Sequence, residues 1–220
     1  MLPDMKPISF STPMVLAVRA DAKTKTRRVV KLPKWLAGRT TGRAWPDPGL
    51  GAGGYLKVEY DQDCIERVRY TSAPGDLLYV REQIDRHESG GICYRADGAL
   101  HPDAEWVWKP KTLPAMYMPK GLRRTILRVV DVRVERLLEI TEADCIAEGI
   151  EPRQNVADPS IVMGSIGLPC GKIVHGLPIG CYKTLWDHIN GKRPGCSWAS
   201  NPWVFDVEFR RVPEAEVRSW

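Results

Sequence analysis

The stretch LRVVDVRVERL, residues 127–137, sets Val130, Val132 and Val134 against Asp131, Arg133 and Glu135. A period of two puts the two sets on opposite faces, so the segment reads as a strand with one dry face and one wet face. Working outward, Trp203 to Val212 alternates in the same way through Val204, Asp206, Val207, Glu208 and Phe209 and reads as a final strand. The turn Pro74-Gly75-Asp76 introduces Leu77 to Arg81, a short apolar core strand. Tyr55 to Tyr60 and Cys64 to Tyr70 flank Asp61-Gln62-Asp63 as a strand pair, and Lys23 to Val30 reads as a turn feeding a β-branched, basic strand.

Helices are few and short. Ser11, Thr12 and Pro13 introduce one over Met14 to Ala20. Thr141, with Asp144 three residues on and Gly149 beyond, frames a second by a capping-box variant and a glycine stop. Leu185, Trp186 and Ile189 mark a third within Cys181 to Ile189. Leu36 to Gly54 and Glu151 to Gly180 are rich in glycine and proline and read as long surface loops. Short strands, few helices and no regular strand-helix alternation predict a mixed α+β chain, a β-barrel with short peripheral helices, rather than a doubly wound sheet. At 220 residues, one domain spanning 1–220 is the expectation.

Composition narrows the function classes. No apolar run approaches the roughly 18 residues of a membrane span, and Met1 to Phe10 carries Asp4, Lys6 and two prolines without a cleavable apolar core, so the chain is expected in the cytoplasm. Six cysteines at 64, 93, 145, 170, 181 and 196 form no Cys-x-x-Cys and read as reduced thiols. The four histidines lack ligand spacing to any cysteine, so neither a metal nor a cofactor is expected. The net charge of +5 is mild, but its distribution is not. Nine lysines and arginines between Arg19 and Arg43 meet one acid, Asp21, which reads as a polyanion-facing surface or as a solvated charged face.

Four stretches together resemble a known family: MKPISF (5–10) leading to KTKTRR (23–28), PGDLLYVRE (74–82), the helix from Thr141 to Gly149, and LWD (185–187) with NPW (201–203) through to Glu208-Phe209. As a set they resemble the ASCH domain, in particular its longer form in bacteriophages and prophages. The resemblance implies a PUA-like barrel of about six strands, with insertions at 36–54, 84–118 and 151–180 and a cleft proposed for RNA binding. Some small bacterial ASCH proteins deacetylate N4-acetylcytidine with the lysine and threonine of a Lys-x-x-Thr motif and a glutamate from a later helix. Those roles fall on Lys23, Thr26 and Glu148.

The chemistry is coherent: Thr26 would supply the nucleophilic hydroxyl, Lys23 the base and Glu148 a proton shuttle. Lys23 and Thr26 can cooperate only if the chain turns there, because residues three apart on a regular strand lie on opposite faces. Glu148 could equally be an exposed residue at a helix end. Lys25, Arg27, Arg28 and Arg81 are candidate nucleic-acid contacts, although Arg81 could instead pair with Glu82. Trp106 and Trp108, beside Lys109 and Lys111, are candidates to stack a base, while Trp186 and Trp203 belong in the core. The expected partner is RNA, single-stranded nucleic acid or a modified nucleoside, with binding that weakens steeply in salt. Alternatives are an amidohydrolase on an acylated nucleoside and a phage assembly factor with a protein partner.

Overall fold

The alternating segment becomes the central strand, Ile126–Arg136, of a five-stranded mixed sheet in the computed structural model, which describes residues 4–33, 40–47, 55–60, 64–155 and 161–218. In chain order this sheet contains β1 (Met5–Ser9), β2 (Lys25–Val29), β6 (Leu77–Arg81), β11 (Ile126–Arg136) and β15 (Trp203–Arg211). Its spatial order is β1-β6-β11-β15-β2. β1 runs parallel to β6, and the other neighbours are antiparallel. A bulge between Val129 and Asp131 breaks the expected alternation. It leaves Val129 buried and turns Val130 outward, so the dry face is Val129, Val132 and Val134.

The helices fall close to their expected places. α1 (Thr12–Arg19) links β1 to β2, α2 (Glu142–Ala147) begins at a Thr141–Asp144 capping box, and α3 spans Pro178–Asn190. A last short helix, α4, spans Glu214–Arg218. The main core joins Phe10, Val15 and Val18 to Val204, Val207 and Phe209 of β15 and to Tyr182, Leu185 and Trp186 of α3. All six cysteines are free thiols, and among the described residues no helix is long and apolar enough to cross a membrane.

The described strands do not close into a barrel. β1 and β2 are the two free edges of the sheet, and their backbones do not pair. Strand pairing needs a spacing of about 4.8 Å, and this seam is instead filled by side chains. The Arg28 guanidinium crosses it to donate to the Ser9 carbonyl at 3.3 Å.

The long loops are a second departure. β3 (Thr40–Asp47), β4 (Tyr55–Tyr60) and β5 (Cys64–Arg69) form one sheet, so the expected loop at 36–54 contains a strand, its remainder lying outside the described residues. Within 84–118, β7 (Ile84–Arg86), β8 (Gly91–Tyr94), β9 (Leu100–Glu105) and β10 (Thr112–Leu113) form a four-stranded sheet. That sheet has its own core of Ile84, Ile92, Tyr94, Leu113, Met118 and Leu122. The expected loop 151–180 holds β12 (Glu151–Gln154), β13 (Val162–Gly167) and β14 (Ile173–Gly176), and α3 begins at its end. The inserted strands are two to eight residues long, and the glycines and prolines in and around them read as loop signals.

At Gly164 the glycine is there for packing: a Cβ would stand 2.6 Å from Ile150 Cγ2 and 3.3 Å from Pro178 Cα. We expect Gly164→Ala to cost about 1–3 kcal/mol in urea denaturation. An unchanged midpoint would mean that β13 does not pack against α3 in this way.

Candidate functional site

α1 ends in a sharp turn that brings the KTKTRR stretch to the second helix. Asp21 adopts a left-handed φ of 55°, and the amides of Ala22 and Lys23 both donate to the Ala17 carbonyl. The chain then meets the C-terminus of α2, where the Thr24 amide donates to the Ala147 carbonyl at 2.8 Å. Lys23 turns inward and is fully buried. Its ammonium donates to Glu148 Oε2 at 2.6 Å, to the Glu148 carbonyl at 2.7 Å and to the Lys25 carbonyl at 2.7 Å. All three protons thus have acceptors, and the cation caps the negative end of the helix.

Glu148 sits at the C-cap of α2, and Gly149 follows at φ +97°. A Cβ on Gly149 would press on Ala17 Cβ at 3.2 Å and Lys23 Cβ at 3.4 Å, so this glycine lets α2 dock against α1 and Lys23. The Glu148 carboxylate is buried, not exposed at a helix end. Besides Lys23, its Oε1 accepts from the Arg27 backbone N–H at 2.5 Å and from the Tyr182 hydroxyl at 3.0 Å. Burial lowers the Lys23 pKa, opposed chiefly by the Glu148 charge. Burial and the Glu148 charge hold the Tyr182 phenol well above the ordinary tyrosine range, so it remains a proton donor.

β2 then distributes its cations between two sides. Arg27 stands opposite Asp206 on β15 and is fully buried. It meets Glu135 at 2.6 Å, Asp144 at 3.3 Å, Glu148 at 3.7 Å and Asp206 at 3.8 Å. Lys25 pairs with Asp144 at 2.8 Å and Asp206 at 3.3 Å. Lys25 and Arg27 therefore face carboxylates inside the protein, not a phosphate row outside it. Burial raises the Asp206 carboxyl against the pull of Arg27 and Lys25, as expected where three cations share four acids.

Thr26 and Arg28 serve the other side, the seam between β2 and β1. The Thr26 hydroxyl is buried and accepts from Arg28 Nη1 at 2.7 Å. Arg28 lies over the Phe10 ring at 5.4 Å, and the Lys23 ammonium approaches the same ring at 5.5 Å. Around them opens a cavity of about 960 Å³. Its walls include Phe10, Tyr70, Tyr182, Trp186 and Phe205, with Thr26, Arg28 and Glu148 as polar features. Lys23 and Glu148 are in direct contact, and Thr26 shares the cavity with Glu148. The strand begins only at Lys25, so Lys23 lies outside it; the Lys23 ammonium is spent on Glu148 and the Lys25 carbonyl, whereas the Thr26 hydroxyl is held by Arg28.

The remaining candidates lie elsewhere. Arg81 donates to the Met116 carbonyl at 2.6 Å and stacks on Tyr79. It does not pair with Glu82, which is buried and takes a bidentate pair from Arg124 at 2.7 and 2.6 Å. Trp106 and Trp108 meet edge to face at 5.0 Å and pack on the second core. The Trp106 indole donates to the carbonyls of Trp108 and Pro110. Neither ring lines the cavity. Trp186 is core, as expected, and also forms a cavity wall. Phe10 and Tyr182 escaped sequence reasoning: Phe10 sits at the end of MKPISF and Tyr182 on the apolar stripe of α3, and neither position looks different from ordinary core. Comparison with models of known protein families, with curated proteins and with solved structures finds no match to this chain.

The ligation of Glu148 predicts a large energetic signature. Lys23→Ala takes from a buried carboxylate its nearest cation, leaving only Arg27 at 3.7 Å, and we expect a loss of about 3–5 kcal/mol. Adding Glu148→Gln should recover part of that loss, because the stranded charge disappears. Strictly additive losses in the double variant would rule out the coupling.

Proposed function

We propose that the seam cavity binds one nucleobase, presented as a modified nucleoside or splayed out of single-stranded RNA. The observation that carries this reading is the composition of the cavity: five aromatic side chains surround a volume of about 960 Å³, with Arg28 braced inside it by Thr26, Ser9 and Phe10. Aromatic faces stack any base, and a fixed guanidinium supplies donors to ring nitrogens or carbonyl oxygens. A pocket of this size suits a nucleoside. Lys25 and Arg27 are neutralised by their own carboxylates, so recognition rests on the base rather than on a row of phosphate contacts. The resemblance of the KTKTRR and PGDLLYVRE stretches and the later helix to ASCH domains supports the same reading.

A second reading, hydrolysis of an N4-acylated cytidine, is favoured by one feature. Thr26 Oγ1 uses a lone pair to accept from Arg28 and keeps its own proton to give. Lys23 donates three hydrogen bonds as an ammonium, so it becomes a base only after passing a proton to Glu148 Oε2, 2.6 Å away. Thr26 could then attack the acyl carbon while its proton moves to the lysine amine, the C–N bond breaking as Glu148 gives its proton to the leaving amine, and water would afterwards release the acyl group from Thr26 as acetate.

A thermal-shift panel of nucleosides, including cytidine and N4-acetylcytidine, tests both readings. We expect at least one nucleoside to raise the melting temperature and Arg28→Ala to abolish that rise. No shift from any nucleoside or short single-stranded RNA would end the binding proposal. Release of acetate from N4-acetylcytidine, lost in Thr26→Ala and retained in Thr26→Ser, would establish the hydrolase. Binding of that nucleoside without turnover would exclude it.

A further inference from the structure

The cavity has a polarity gradient that specifies more of its ligand. Its deep wall is apolar and buried, formed by Phe10, Tyr182, Leu185, Trp186 and Phe205. Its mouth is different. Lys31 and Arg193 are exposed and line the same cavity, and Arg28 stands half-buried between mouth and floor. Among the described residues none of these three cations has a carboxylate within ion-pair distance. This contrasts with the neighbouring cations of the fold: Lys23, Lys25 and Arg27 are paired with buried acids, and Arg124 and Arg211 make bidentate pairs with Glu82 and Asp21.

Glu148 is the one acidic residue among the described lining residues, and Lys23 matches its charge. The lining therefore carries uncompensated positive charge at its open end. Arg193, on the turn after α3, is also oriented: its Nη2 donates to Asn190 Oδ1, and Asn190 is itself buried and lines the cavity. Asn190 engages one guanidinium nitrogen, and the other Arg193 side-chain donors have no partner among the described residues.

Resting on the reading of the cavity as a nucleobase pocket, we infer that its ligand carries a phosphate monoester, with the base stacked at the buried end and the phosphate held at the mouth by Arg193 and Lys31. A guanidinium fork matches phosphate in charge and in donor geometry, and an ammonium on the same cavity lining adds a second positive charge. The base contributes stacking at the floor, and the phosphate contributes the charge-assisted hydrogen bonds at the rim. Two sources supply this chemistry, a free nucleoside monophosphate and the phosphorylated end of an RNA strand.

Isothermal titration of the full chain at low salt separates them. The probes are each nucleoside, its 5′-monophosphate, and a tetranucleotide with and without a 5′-phosphate. We expect the monophosphate to bind about tenfold more tightly than the nucleoside, the range of one charge-assisted hydrogen bond. In an Arg193→Ala/Lys31→Ala variant the ratio should fall to within about twofold; both side chains are exposed, so the fold survives the change. A phosphorylated tetranucleotide that binds more tightly than the monophosphate identifies the strand end as the source, and the reverse identifies the free nucleotide. Equal affinity for nucleoside and monophosphate overturns the phosphate inference and leaves the base pocket intact. Binding of none of the probes overturns the pocket itself.

Discussion

A single buried carboxylate, Glu148, organises the molecule. Burying an ionised group is costly unless a counter-charge and hydrogen-bond donors replace the lost water, and Glu148 draws these from three separate parts of the chain. Lys23 comes from the turn after α1, the Arg27 N–H from β2, and the Tyr182 hydroxyl from α3. Each donor must be placed to within a few tenths of an ångström, so the carboxylate sets the positions of α1, α2, β2 and α3 relative to one another. Gly149 belongs to the same arrangement: its φ of +97° disfavours any other residue, and a Cβ there would crowd Ala17 and Lys23.

The seam follows from this junction. With α2 and α3 drawn onto one end of β2, that strand stands apart from β1, and the sheet stays open where a barrel would have joined its edges. Aromatic side chains and Arg28 fill part of the gap, and the remainder is the cavity. Alternation along β2 then sorts its cations: Lys25 and Arg27 turn to the acids of β11, α2 and β15, while Thr26 and Arg28 turn to the seam. A stretch that looks uniformly basic thus has two distinct roles, an internal electrostatic joint and the polar edge of a pocket.

Much of this was legible in the residues, and the exceptions have physical causes. β6, β11, β15 and the three larger helices fall within a few residues of their expected spans: β11, β15 and the helices are long enough for a period or a cap to show, and the five-residue β6 begins with an unbroken apolar run announced by the Pro74-Gly75-Asp76 turn. The juxtaposition of Lys23 with Glu148 was readable from the family resemblance of the KTKTRR stretch and the later helix. The strands of 84–118 and 151–176 were not, since runs of two to six residues interrupted by glycine have no measurable period. The burial of Arg27 was hidden for a different reason: its cross-strand partner Asp206 lies 179 positions away, and local composition cannot reveal a pairing made by sheet register. Trp106 and Trp108 drew attention by their lysine neighbours, yet they serve a local core built from strands that the sequence does not announce.

A base in the seam would touch a small, known set of side chains. Photo-crosslinking with 4-thiouridine, supplied as the nucleoside and within a short single-stranded RNA, followed by mass spectrometric mapping, identifies them in one experiment. Adducts are expected on the cavity walls, at Phe10, Tyr70, Tyr182 or Trp186. Adducts confined to Trp106 and Trp108, or spread over the basic surface with none in the seam, would contradict this placement of the base.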